Sequence, residues 1–131
     1  MRSKTETLRA LWQAWSRGSA EEILPLLHPD VVWDSAVLER EYRGHADVAA
    51  WLESLGREWK SLTVTLDGVE DAGGNVAVAH GRAIGFDYGG GKRFDTPLTW
   101  VAEFAGELVV HGRVFTDDAD ARRYLASRRD G

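Results

Sequence analysis

An α+β domain is the fold class this sequence predicts, and three features predict it. Two capped amphipathic segments open the chain, and a third helical stripe follows one short strand. From Leu62 onward, apolar residues alternate with small or polar ones in four strands separated by glycine turns. Helices that precede a sheet pack on one of its faces. A length of 131 residues suits one domain, residues 1–131, with a core of its own.

The elements follow in order. Ser3-x-x-Glu6 is a capping box, and Leu8, Leu11, Trp12 and Trp15 form one stripe behind it. Gly18 suits the left-handed cap that ends this helix. Ser19-x-x-Glu22 repeats the capping signal, with Ile23, Leu24 and Leu27 apolar and Pro25 keeping the second helix short or kinked. His28-Pro29-Asp30 stops it, and Val31-Val32-Trp33 reads as a short strand. Residues 35–43 show no period and are expected to be an irregular loop. A third helix is predicted from Gly44 to Lys60, with Val48, Trp51, Leu52, Leu55 and Trp59 along one side.

The remainder reads as strands. Leu62, Val64 and Leu66 alternate with polar residues before the turn Asp71-Ala72-Gly73-Gly74-Asn75. From Val76 to Tyr88, Val76, Val78, His80, Arg82, Ile84 and Phe86 share one face, and Ala77, Ala79, Gly81, Ala83 and Gly85 share the other. Gly89-Gly90-Gly91 turns the chain. Leu98, Trp100, Ala102 and Phe104 alternate in the next strand, and Leu108–Thr116 is the last. Asp117, Asp118 and Asp120 ahead of Arg122, Arg123 and Arg128 match the dipole of a terminal helix. Small residues along the sheet let it curl, and a curled sheet closed by helices encloses a pocket.

Composition removes several classes of function. There is no cysteine, which excludes disulfides, a thiol nucleophile and Cys-ligated metals. The net charge of -5 and the lack of a basic patch argue against nucleic acid. No apolar run is long enough for a membrane span, and the first residues lack the apolar stretch of a signal peptide, so a cytoplasmic protein is expected. The four His show no ligand spacing and no dinucleotide fingerprint follows a strand, so neither metal nor organic cofactor is expected.

The strings Leu26-Leu27-His28-Pro29-Asp30-Val31-Val32-Trp33, Tyr42-Arg43-Gly44-His45 and Gly112-Arg113-Val114-Phe115-Thr116-Asp117 add to this pattern. In order and spacing the chain resembles the nuclear transport factor 2-like superfamily, within it the SnoaL-like and ketosteroid-isomerase-like proteins. The resemblance covers nearly the whole chain. It implies a cone-shaped fold, a curved mixed sheet wrapped around N-terminal helices, an internal apolar pocket and a homodimer through the outer sheet face. For that interface His111, Arg113 and Phe115 point outward. Fold does not fix function, and members of this superfamily range from isomerases, cyclases and dehydratases to non-catalytic binding domains. The ketosteroid isomerase pattern is absent: its tyrosine falls on Leu11, its base on Ser35 beside Asp34, and its oxyanion acid on Thr99 or Trp100. The limonene-epoxide-hydrolase pattern is absent too, with His80 and Arg82 at its Arg/Asp pair and Val114 at its last aspartate.

The candidate residues remain. His80 and Arg82, two apart on one strand, share a face that resembles the pocket lining of the family. There His80 would be a general base and Arg82 would hold an oxyanion. The other reading puts both on a solvent or dimer side. Asp34, next to Trp33, is either a second acid or base or a carboxylate that caps a turn. Tyr42, Phe86, Trp33, Trp100 and Val114 complete the expected lining, with Tyr42 a phenol donor or a cover for the third helix. The expected ligand is a small apolar or aromatic molecule. It is either processed by cofactor-free isomerase, cyclase or dehydratase chemistry or simply bound.

Overall fold

The structure, a computed structural model, describes residues 3–17, 20–35, 40–89 and 93–130. Helix α1 (Lys4–Ser16) begins where the capping box sits: the Ser3 hydroxyl accepts from the Glu6 amide at 3.2 Å and donates to the Glu6 carboxylate at 3.0 Å. Its stripe of Leu8, Leu11, Trp12 and Trp15 is buried. Gly18 and Ser19, expected to cap the first two helices, lie outside the described residues, as do Gly90 and Gly91. Helix α2 (Ala20–Ile23) is a single turn that runs into a 3-10 turn at Leu24–Leu26. Pro25 sits in the first positions of that turn, where no amide hydrogen is needed.

Strand β1 (Leu27–Ser35) is longer than the expected Val31–Trp33. Pro29 fits inside it because the register to its neighbour slips between Leu27 and Val32, and proline is tolerated at such irregularities. The expected loop at 35–43 is corrected in part. Arg40–Arg43 is a strand, β2, paired antiparallel to β1 with Tyr42 opposite Trp33. Its short charged sequence is typical of a sheet edge and carries no apolar alternation to read. Helix α3 (Gly44–Glu58) ends two residues early, and Trp59 starts strand β3 (Trp59–Asp71). The long hairpin with β4 (Val76–Asp87) draws Trp59 into pairing with Asp87. Strands β5 (Arg93–Ala105) and β6 (Leu108–Phe115) and helix α4 (Asp118–Asp130) complete the chain.

Among the described residues the strands form one six-stranded sheet in the order β2-β1-β6-β5-β4-β3. The β1–β6 pair is parallel and the others antiparallel, so the sheet is mixed as the resemblance implied. The β3–β4 turn uses the expected residues: Gly73 and Gly74 have φ of 93° and 52°, and the Asp71 carboxylate accepts from the Gly73 amide at 2.8 Å. Lys4 ties α1 to this turn, donating to Asp71 at 2.6 Å and to the Gly74 and Val76 carbonyls at 2.7 and 3.2 Å. Lys4 therefore holds the Asp71 carboxyl below its usual range, with the Gly73 amide assisting.

The main core lies between the sheet and helices α1 and α3. Ala77 and Ala79 of β4, Trp100, Ala102 and Phe104 of β5, and Val109 and Val114 of β6 belong to it. Of the two orientations left open for β4, the structure has its small residues, not Val78, His80 and Arg82, facing the interior. The reason is volume: a Cβ on Gly81 would lie 2.0 Å from the Thr65 carbonyl oxygen and 2.3 Å from Cζ2 of Trp12. The bulk on this side comes from the helix, so the strand supplies space.

A smaller core lies on the outer face, where Val78, Val101 and Phe115 pack under Ala121 and Leu125 of α4. No described helix is long and apolar enough to cross a membrane. Replacing Gly81 by Ala is expected to cost about 3 kcal/mol, through overpacking. Gly68→Ala, with nothing within 4 Å of the new methyl, should cost under about 1 kcal/mol. Urea midpoints of the two variants check this, and equal midpoints would refute the steric argument.

Candidate functional site

The interior of the cone is built from indoles. Trp12 and Trp15 come from α1, Trp33 from β1, Trp51 from α3 and Trp100 from β5. Trp15 and Trp33 stack with centroids 5.6 Å apart and planes at 16°. Trp100 meets Trp12 at 4.2 Å and stands edge-on to Trp15 and Trp33 at 5.4 and 5.2 Å. Trp15 meets Trp51 at 4.9 Å, and Trp51 stacks on Tyr42 at 4.7 Å. One connected aromatic group thus runs from the buried centre to the sheet edge at β2.

The sheet makes room for these rings. A Cβ on Gly112 would lie 2.8 Å from Cε3 of Trp33, so the indole lies directly on the β6 backbone. Val114 lies on the same face, opposite Trp100 in the β5–β6 ladder. Beside the Tyr42–Trp51 stack opens a surface groove of about 430 Å³, lined also by Arg40, Glu41, Asp47, Ala50 and Ser54.

The polar atoms of the interior are more telling. The indole N–H groups of Trp12, Trp33, Trp51 and Trp100 are buried and have no hydrogen-bond partner, and the same holds for Oγ1 of Thr7. A buried indole N–H ordinarily finds an acceptor, and leaving one unsatisfied costs about 1–3 kcal/mol. Among the described residues the buried polar side chains are Thr7 and Thr99.

Of the residues expected to line the pocket, Trp33, Trp100, Val114 and Tyr42 are brought together here. His80, Arg82, Phe86 and Asp34 are not. His80 and Arg82 lie on the outer face, the alternative that the sequence left open. His80 contacts Glu70 and Asp118, and Arg82 pairs with Asp95. Phe86, on that same face, is 43% exposed. Asp34 follows the inward Trp33 on β1, so strand alternation turns it outward, where it pairs with Arg113. The Arg113 guanidinium also lies 5.3 Å from the Phe115 ring centroid and 5.7 Å from that of Tyr124.

Trp12 and Trp15 are buried in the core and Trp51 packs against it, as their helical stripes predict, and the rings of Trp12 and Trp15 meet those of Trp100 and Trp33. One feature went unread in the sequence. The Glu70–His80–Asp118–Arg122 group joins three elements distant in sequence, and no local pattern announces it. Two other histidines serve the backbone: His45 Nε2 lies 2.9 Å from the Leu27 carbonyl, which sets it as the donor, and His28 Nδ1 accepts from the Asp30 amide at 3.0 Å. Among the described residues no group of three or more His, Asp or Glu is placed to hold a metal ion.

A curved mixed sheet over N-terminal helices, with an aromatic interior, defines a protein of the nuclear transport factor 2-like, ketosteroid-isomerase-like fold. Solved structures agree. An NTF2-like protein of unknown function from Burkholderia pseudomallei K96243 superimposes with a TM-score of 0.79 at 21% identity, covering 95% of this chain and 98% of the other. A ketosteroid-isomerase-like protein from Catenulispora acidiphila, solved in complex with trimethylamine, gives 0.78 at 16% identity over 86% of each chain. A candidate polyketide cyclase from Pseudomonas putida KT2440 gives 0.73 at 21% identity, covering 92% and 96%. The chain belongs to the SnoaL-like domain family, whose model matches residues 8–112. No curated protein sequence matches it.

On the outer face, Arg122 holds the Glu70 carboxyl below its usual range, with His80 assisting. A depressed carboxyl stabilises the fold above its unfolded pKa, and that contribution is lost as pH falls through the folded value. Glu70→Gln should therefore be less stable than the native protein at about pH 6, with the gap closing towards about pH 3. Denaturant midpoints across that range check it, and a gap that widens on acidification would contradict it.

Proposed function

We propose that this domain binds a small, largely apolar molecule inside the cone, against Trp33, Trp100, Val114 and Tyr42, as a binding module rather than an acid–base enzyme. The single observation that carries this reading is the connected aromatic group that runs from Trp33 and Trp100 through Trp15 and Trp51 to Tyr42, with a groove open beside its outer end. Its natural complement is a ligand with flat apolar surface. The groove beside the Tyr42–Trp51 stack is the proposed entrance.

An isomerase, cyclase or dehydratase of this family needs a proton carrier at the ligand. Among the described residues the buried polar side chains are Thr7 and Thr99, neither a proton carrier, and the carboxylates of Glu41 and Asp47 lie in the groove at the surface, which favours binding without turnover. Membership of the SnoaL-like family and the likeness to a candidate polyketide cyclase support a small organic ligand, and the trimethylamine in another relative shows that protein in complex with a small molecule.

The reading extends to assembly. A homodimer through the outer face would have to use the part that α4 leaves uncovered, because Phe115 is buried beneath that helix. Static light scattering at micromolar concentration should give twice the chain mass. A monomer would remove the dimer and leave the binding site as proposed.

Binding is tested by titrating neutral aromatic ketones, beginning with 2-acetylnaphthalene, against the indole emission. Saturable quenching is expected. Trp51→Ala, which removes the ring that joins the groove to the interior, should weaken it about tenfold. Native binding unchanged in that variant would show that the aromatic group is not used. A ligand recovered chemically altered would restore the enzyme reading.

A further inference from the structure

Strand β3 is an edge of the sheet: among the described residues its only neighbour strand is β4. The ladder between them slips twice, between Trp59 and Ser61 and again between Leu66 and Gly68. Between these bulges residues 61–66 keep a regular register, from Ser61 opposite Phe86 to Leu66 opposite Gly81. Natural edge strands are usually guarded by a proline, a charge or a bulge. Here the bulges only flank the stretch, and residues 62–66 read Leu-Thr-Val-Thr-Leu, with neither proline nor charge.

One contact fixes the direction of the backbone groups along β3. The Thr65 carbonyl oxygen lies against β4 at Gly81. In an antiparallel strand the N–H and C=O of one residue point to the same side, and those of the next residue to the other. Thr63 and Thr65 therefore turn theirs to β4, while Leu62, Val64 and Leu66 aim theirs at the open edge. The side chains alternate across the sheet instead. Val64 is buried in the core, and Thr63 and Thr65 are exposed.

Residues 62–66 also read the same in both directions. We propose that this stretch of β3 pairs antiparallel with the same stretch of a second copy, about a two-fold axis at Val64. A two-fold contact needs a surface that complements itself, and the palindrome provides one. In that register Val64 meets Val64 of the second copy, and Leu62 meets its Leu66. These are the positions whose free backbone groups exchange N–H···O bonds. Thr63 then faces Thr65 of the second copy at the closer, non-hydrogen-bonded positions, where threonine pairs favour association. A ladder this short falls well below the roughly 1,000 Å² of a stable interface, so the association is weak and populated at sub-millimolar concentration. It neither uses the interior binding site nor depends on a dimer through the outer face.

Disulfide trapping reads this register directly, because the chain has no cysteine of its own. Isotope-labelled Thr63→Cys and unlabelled Thr65→Cys are mixed at about 300 µM in a glutathione redox buffer, and intact mass separates the products. Directly opposed positions lie within disulfide reach, whereas each position and its own copy are diagonal neighbours and too far apart. The mixed disulfide should exceed each symmetric one at least about tenfold, against about twofold for random collision. Random proportions, a dominant symmetric product or no inter-chain disulfide would each overturn the pairing. Should a cysteine variant fail to fold, sedimentation at about 500 µM takes its place. The native mass should rise above its micromolar value, Thr63→Lys with Thr65→Lys should abolish the rise, and Thr63→Lys with Thr65→Glu should restore it, since opposite charges then face each other. Any other pattern overturns the proposal.

Discussion

The ring of Trp12 lies where the side chain of residue 81 would be if there were one, and helix α1 reaches the sheet only because there is none. That contact sets the distance between helix and strands. It places Trp100 against Trp12, lets Trp15 lie over Trp33, and brings Trp51 of α3 onto the other side of Trp15. Gly112 does for Trp33 what Gly81 does for Trp12. Ring packing of this kind is worth about 0.5–1.5 kcal/mol per pair beyond burial, so the network stabilises the cone as well as lining it. The same chain of rings runs out to the groove beside Tyr42 and Trp51, which links the architecture to the proposed ligand.

The sheet keeps its two faces chemically apart. Inside are indoles, aliphatic side chains and alanines; outside, ion pairs and hydrogen bonds join β1, β3, β4 and α4. Asp34 and Arg113 on neighbouring parallel strands, and Glu70 and His80 on neighbouring antiparallel ones, are cross-strand pairs. The inward side chains, by contrast, bring shape and N–H groups.

How far the sequence could be read depended on where the information lay. The start of α1 and its stripe were legible because capping and a 3.6-residue period are local. The β3–β4 turn was legible because its Asp and glycines carry the turn chemistry themselves. The orientation of β4 was not. Alternation of large with small residues shows that two faces differ but not which one is inside, and the rule that bulk points inward fails when a helix supplies the bulk. For that reason the sequence left two faces open for His80 and Arg82, and it gave no sign of the Asp34–Arg113 pair, whose members lie 79 positions apart. Strand β2 escaped notice because an edge strand with one inward aromatic residue has no pattern to repeat. Family resemblance supplied the cone, the mixed sheet and Trp33, Trp100, Val114 and Tyr42 as inward residues, whereas the way their rings meet those of the helices depends on contacts distant in sequence.

The parallel pairing of β1 with β6 has a consequence for the chain as it is being made. Trp33 finds its neighbour Gly112, and Asp34 its neighbour Arg113, only after every intervening strand has been synthesised. Until then β1 has only the short β2 beside it, and Val31 and Trp33 stay uncovered while the ribosome works through β3, β4 and β5. Contacts of such long sequence separation close late and slowly. The nascent half-domain, with its helices and one apolar strand, is therefore the form for which chaperones and like-minded neighbours on a polysome would compete.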